Sequence, residues 1–227
     1  MIFSLKTKDD DTIVEMLASA LRRDISFGAL MPDQKLKIEA LRQRYGGSNH
    51  SMRETLRLLS AEGLVEATAQ RGFRVTSATE DDLKDINLIR CELEKVALGM
   101  AIENGDAAWE GRVIAAHHAL QKAETLVASD PDDLNALEWD EACRMFSFAL
   151  IEACDSPRMI DLHRKYFDQS RRFRLALLRE GRLDFAARKN RQKELLDAVL
   201  ARDTVAAVAL LIKDIEADFV SVELNNK

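Results

Sequence analysis

The run Ser48-Asn49-His50-Ser51-Met52-Arg53-Glu54-Thr55-Leu56-Arg57-Leu58-Leu59-Ser60-Ala61-Glu62-Gly63-Leu64-Val65 decides how the chain folds. Ser48 offers an N-cap oxygen, Met52, Leu56 and Leu59 recur at i, i+4 and i+7, and Gly63 closes the run. The spacing therefore predicts a helix ending at Ala61 with one apolar face. Upstream, Ile38–Tyr45 has a helical pattern that ends at Gly46-Gly47, leaving a short turn between the two helices. Further back, Asp9–Asp11 and Thr12 open a helix carrying Ile13, Met16, Leu17, Ala20, Leu21 and Ile25 up to Gly28, and a turn follows at Met31-Pro32-Asp33. Downstream, Leu64–Thr68 and Gly72–Thr76 are short runs with β-branched and aromatic residues, joined by Ala69-Gln70-Arg71, and read as a hairpin. Three helices and a hairpin, with a tight turn before the third helix, are the order of a winged helix-turn-helix.

Beyond this segment the pattern is helical throughout. Apolar periodicity predicts helices over 80–104, 107–128, 132–154, 157–180, 184–201 and 204–223, with breaks at Gly105, Pro131, Ser156-Pro157, Gly181 and Asp203. Six amphipathic helices of this length make an antiparallel bundle. Thr79 with Asp82 three residues on marks a helix start, so the expected domains are 1–78, a winged helix-turn-helix, and 79–227, an all-helical unit. Nine Gly and three Pro in 227 residues leave little turn material, which agrees with a mostly α class.

The formal net charge of −6 excludes a uniformly basic nucleic-acid binder, but the charge is unevenly distributed. Residues 1–78 carry 12 basic and 10 acidic side chains, and residues 79–227 carry 21 and 29. Within 35–76 there are eight basic residues against four acidic ones, an electrostatic footprint for phosphate inside an acidic protein. Cys91, Cys143 and Cys154 are odd in number and lack CxxC spacing, which reads as reduced thiols rather than a disulfide framework or zinc knuckle. Met1–Asp11 is acidic and lacks the apolar stretch of a secretory signal, and no uncharged apolar run approaches the roughly 20 residues of a membrane helix. The expectation is a soluble, cytoplasmic protein with no membrane partner.

Asn49, Arg53 and Arg57 stand at i, i+4 and i+8, on the face of the third helix opposite Met52, Leu56 and Leu59. Arg53 can make a bidentate pair with guanine and Asn49 with adenine in a major groove, while Arg71-Gly72 at the hairpin tip suits a minor groove. The expected DNA face comprises Lys35, Arg44, Ser48, Asn49, His50, Ser51, Arg53, Arg57, Arg71 and Gly72.

The string Arg53 to Val65, followed by Arg71-Gly72-Phe73-Arg74-Val75, resembles the winged helix of GntR-family bacterial transcription regulators over residues 12–76. The resemblance implies that Arg53 reads a base and that Gly72 sits at the wing tip. Where the family usually has Val-Ser-Arg-Thr-Pro-Val, this chain has Gly47-Ser48-Asn49-His50-Ser51-Met52. Over residues 79–220, Leu88-Ile89-Arg90-Cys91-Glu92-Leu93-Glu94 and Leu195 to Asp203 resemble the FCD effector domain. With Glu138-Trp139-Asp140 they are similar to the carbon-starvation-induced regulators within that family.

That resemblance implies a homodimeric regulator, a repressor, that binds double-stranded operator DNA and a small-molecule effector, a carboxylate. The typical FCD domain holds a divalent metal on one Asp and three His. The matching positions here are Cys143, Ser147, Gln192 and Asp214, none of which keeps its usual type. The expectation is a polar effector pocket with no metal and no cofactor, lined by these four with Arg90, Arg172 and Arg174. His50, His117, His118 and His163 read as surface or capping residues. GxSxG, Walker and HExxH motifs are absent from the sequence, so an enzyme is not expected. A bundle serving as an adaptor or enzyme, with a vestigial winged helix, is the alternative, suggested by the altered Asn49–Ser51 segment.

Overall fold

The structure is a computed structural model that describes residues 8–68 and 72–217. The chain divides into two compact units, Met1–Ala78 and Thr79–Lys227.

In the first unit the order is α1 (Lys8–Ser26), β1 (Lys35–Leu36), α2 (Ile38–Tyr45), α3 (Asn49–Ala61), β2 (Val65–Thr68) and β3 (Gly72–Val75). Ser48 caps α3 reciprocally: its hydroxyl accepts from the Ser51 amide at 3.0 Å, and the Ser51 hydroxyl accepts from the Ser48 amide at 2.9 Å. Gly46 and Gly47 both lie at φ +82°, a conformation that side chains resist, and they reverse the chain between α2 and α3. Met52, Leu56 and Leu59 are fully buried against Leu17, Leu21 and Ile25 of α1. Burial of these three α3 side chains contributes roughly 5–9 kcal/mol. The hairpin is present, and a third strand, β1, joins it in the order β1-β3-β2, with Lys35 opposite Arg74 and Val65 opposite Val75. Two residues are too few to show the period-two pattern of a strand, so β1 was not expected from the sequence. The hairpin turn at 69–71, which includes Arg71, lies outside the described residues.

The second unit is six helices: α4 (Glu80–Asn104), α5 (Ala107–Ser129), α6 (Asp133–Ile151), α7 (Pro157–Arg179), α8 (Phe185–Leu200) and α9 (Thr204–Ala217). All six begin on a capping side chain, Thr79, Asp106, Asp132, Ser156, Asp184 and Asp203, each accepting from the amide three residues on. Where one helix was expected over 132–154, α6 stops at Ile151, and a single 3-10 turn, Glu152–Cys154, leads to Asp155 at φ +55°. The predicted end of the last helix, 218–223, lies outside the described residues. Trp109, Val113, Leu120, Trp139, Leu150, Leu195 and Val199 are buried between the helices, and Trp109 Nε1 donates to the Ala149 carbonyl at 2.8 Å, joining α5 to α6. Among the described residues no helix is long and apolar enough to cross a membrane.

Candidate functional site

The cap on Ser48 and the apolar stripe fix the rotation of α3, and that rotation leaves Asn49, Arg53 and Arg57 exposed on its far side. Arg53 has no hydrogen-bond or ion-pair partner among the described residues. Arg57 leans on Glu54, Nη1 to Oε1 2.6 Å. Asn49 Oδ1 accepts from Arg42 Nη1 at 3.2 Å, and Arg42 Nε also donates to the Gly47 carbonyl, so Arg42 braces the turn that presents Asn49. Lys35, Ser48, His50 and Gly72 are exposed.

One of the expected DNA-facing residues is differently placed, and another, still exposed, is paired. Ser51 is buried, its hydroxyl used up in the capping box, so it shapes the start of α3 instead of reaching outward. Arg44 is tied by Nη2 to Asp24 at 2.5 Å, alongside Tyr45, whose hydroxyl donates to the same carboxylate oxygen at 2.6 Å. Burial and this Asp24 contact push the Tyr45 phenol up, so it remains a donor.

In the second unit all six helices line one cavity of about 50 Å³. Arg90, Cys143, Ser147, Arg174, Gln192 and Asp214, inferred from the sequence, all reach it. Arg172 does not: its guanidinium is taken by Asp82 in the first turn of α4 and lies over Phe173. The cavity also brings in Glu94 and Arg188, and behind them Glu124 and Asp140, which the sequence reading left out.

The cavity is electrostatically dense. Arg90 Nε donates to Glu94 Oε1 at 2.7 Å, and His163 Nδ1 lies 3.3 Å from the same oxygen. Burial pushes the Glu94 carboxyl up, but Arg90 and His163 more than offset it and hold its pKa at about 2. Ser147 donates to Glu94 Oε2 at 3.3 Å. His163 is thus a buried partner of the cavity and not the surface residue expected. His117 is buried as well, against Phe146, and burial lowers its pKa.

Arg174 gives Nε and Nη2 to Asp140 Oδ1, at 3.0 and 2.7 Å, while Arg171 holds the other oxygen. The Phe167 ring packs between Arg90 and Arg174, whose guanidinium carbons lie 4.9 and 3.9 Å from its centroid. Arg188 and Gln192 both donate to Glu124 Oε1, each at 3.1 Å, and Asp214 accepts from Arg191 Nε at 3.0 Å.

A polar face on a capped helix behind a glycine turn, and a buried arginine-lined cavity in a six-helix bundle, occur in one chain. Over 208 residues, 91% of this chain, that chain is 36% identical to the HTH-type transcriptional regulator BphR of Paraburkholderia xenovorans (strain LB400), covering 83% of the relative. The protein is a GntR-family transcription regulator. The signature described as bacterial regulatory proteins, gntR family, matches residues 13–75, and the FCD domain matches residues 85–217. The HTH-type transcriptional repressor GlaR of Escherichia coli (strain K12) is 34% identical over 84% of this chain and 87% of its own length. In fold, E. coli McbR/YncC superposes with a TM-score of 0.73 over 94% of this chain and 99% of its own, at 22% identity.

Cys143, Ser147, Gln192 and Asp214, the four cavity residues that the resemblance matched to metal ligands, form a poor donor set for a divalent transition metal. The Ser147 hydroxyl and the Gln192 amide are weak donors. The fourth, Asp214, is engaged by Arg191, and the guanidinium of Arg188 stands 3.7 Å from Cys143 Sγ, where it would repel a cation. Among the described residues no group of three His, Cys, Asp or Glu is placed to hold a metal ion.

Proposed function

We propose that this regulator is a cytoplasmic homodimeric repressor that reads a two-fold operator through α3 and the wing and is controlled by a small carboxylate in the bundle cavity. The observation that carries the reading is Arg53: exposed, without a partner among the described residues, and facing away from the apolar stripe that fixes its helix. An arginine so placed is available to guanine in a major groove, with Asn49 one turn before it. One recognition helix covers only a half-site, which calls for a pair of chains. The repressor sense is supported by the similarity to GlaR.

Three buried arginines around one small cavity suit a carboxylate. Burial pushes the Cys143 thiol up despite the Arg188 guanidinium beside it, which disfavours an activated nucleophile there. Arg90 and Glu94 belong to α4, which follows β3 in the chain after residues 76–79, so a ligand that moves α4 acts on the segment leading directly to the wing.

Fluorescence anisotropy with duplex DNA from the gene's own upstream region, repeated across salt concentrations, tests the reading. Affinity should fall steeply with salt. Arg53→Ala should weaken binding by about 1–3 kcal/mol per half-site, roughly 5- to 150-fold, while leaving the melting curve unchanged. Wild-type binding that is absent or independent of salt would overturn it. An organic acid that occupies the cavity should shift operator affinity by about 5- to 150-fold.

A further inference from the structure

Two of the four positions that the resemblance matched to metal ligands, Cys143 and Gln192, lie beside a fixed positive charge, Arg188. Arg188, 4% exposed, enters from α8 with Nε on Glu124 Oε1 and Nη2 3.7 Å from Cys143 Sγ, and its guanidinium carbon lies 5.5 Å from the Trp139 ring centroid. Glu124 fixes the neighbouring amide as well. Only the NH2 side of Gln192 can donate to that carboxylate, so Gln192 Oε1 is turned the other way.

Gln192 is 1% exposed, lines the cavity, and its Oε1 has no hydrogen-bond partner among the described residues. Buried acceptors are nearly always paired, and one left open on a residue that lines a cavity is a point where a ligand donor can be received. The Cys143 thiol, 3.7 Å from Arg188 Nη2, is a weak acceptor.

We propose that Arg188, set in place by Glu124 and Gln192, supplies the positive charge that a metal supplies elsewhere, and binds without metal the carboxylate of a small hydroxy acid whose hydroxyl donates to Gln192 Oε1. The inference rests on the reading of the cavity as a carboxylate site and adds the recognising groups and the ligand's second function. Glu124 is a positioning residue: it orients Arg188 and the amide without touching the ligand.

The test is a thermal-shift and calorimetric titration of the full-length protein, stripped with a chelator, against straight-chain mono- and dicarboxylates of two to six carbons, each with and without a 2-hydroxyl. At least one acid should bind, its hydroxy form at least five times more tightly, and zinc, nickel or manganese should leave both affinities unchanged. Gln192→Met should abolish the preference for the hydroxy form and keep binding of the parent acid. Arg188→Lys should weaken binding at least tenfold. Because Arg188→Met alone strands Glu124 as a buried charge, the decisive variant is Arg188→Met with Glu124→Gln, checked for folding by circular dichroism. Wild-type affinity in that folded double variant, or binding that requires a metal, overturns the role of Arg188. If no acid in the series binds the wild-type protein, the carboxylate reading of the cavity itself falls.

Discussion

Replacing Asp140 by Asn removes one negative charge that two arginines share. Asp140 is wholly buried, and Arg174, 3% exposed at its side chain, gives two donors to one of its oxygens. An asparagine of the same shape keeps a carbonyl oxygen for one contact, but it leaves the buried guanidinium of Arg174 without its hydrogen-bonded counter-charge. Breaking a buried pair from one side costs about 3–5 kcal/mol. Arg171 adds little to that figure, since at 20% exposure its head can turn to water. For a unit of this size about 3–5 kcal/mol lowers the melting temperature by roughly 6–20 °C. Circular dichroism at 222 nm reads the transition, and urea unfolding gives the free energy. The companion is Asp140→Asn with Arg174→Met, which removes the stranded cation and should recover at least half of the loss. A single variant that melts within about 2 °C of wild type, or a double variant that merely adds a second loss, would refute the claim that the cost lies in an uncompensated buried charge.

Two further outcomes follow from the bundle. Because the folded Glu94 carboxyl is held down at about 2, its stabilising share is present above the unfolded value near 4.5 and is lost as pH falls through 2. The stability gap between wild type and Glu94→Gln should therefore be widest near neutrality and narrow on the order of 3 kcal/mol between pH 5 and 2, read from urea midpoints; a gap that stays constant would count against it. At Gly105 a Cβ would stand 2.1 Å from the Trp109 ring and 2.7 Å from the Ala101 carbonyl, so Gly105→Ala should cost about 1–3 kcal/mol even though its φ is ordinary; an unchanged melting temperature would show that the α4–α5 corner yields freely.

Much of this architecture was readable in the sequence because it rests on local signals. Capping residues, glycine stops and apolar spacing placed the ends of α2, α3 and α4, since each reports a backbone requirement met within a few residues. What escaped depends on partners far away in the chain. The two residues of β1 become a strand only by pairing with β3. Ser51 reads as polar and therefore outward, and only the reciprocal bond with Ser48 turns it in. Arg172 belongs to an arginine-rich run, and nothing local reveals that Asp82, ninety residues earlier, draws it out of the cavity.

Four charges at or behind the cavity, Glu94, Glu124, Asp140 and Arg188, were missed for a different reason, and here the signal was present. Val113, His117, Leu120, Glu124 and Val127 are the buried stripe of α5, so Glu124 stands in register with apolar residues. Arg188 and Gln192 stand in register with Leu195 and Val199 on α8, and Arg90 and Glu94 with Leu83, Ile86, Ala97 and Ala101 on α4. A charge on an amphipathic helix is read as surface by its type, whereas its phase on the stripe assigns it to the interior. Folding alone gives no reason to keep such residues, because well-packed apolar side chains in place of buried ion pairs are often neutral or stabilising by about 1–4 kcal/mol. Three helices each place an arginine on the inward phase, and the three guanidiniums reach one small cavity. Such convergence is better accounted for by a ligand than by the bundle's own stability.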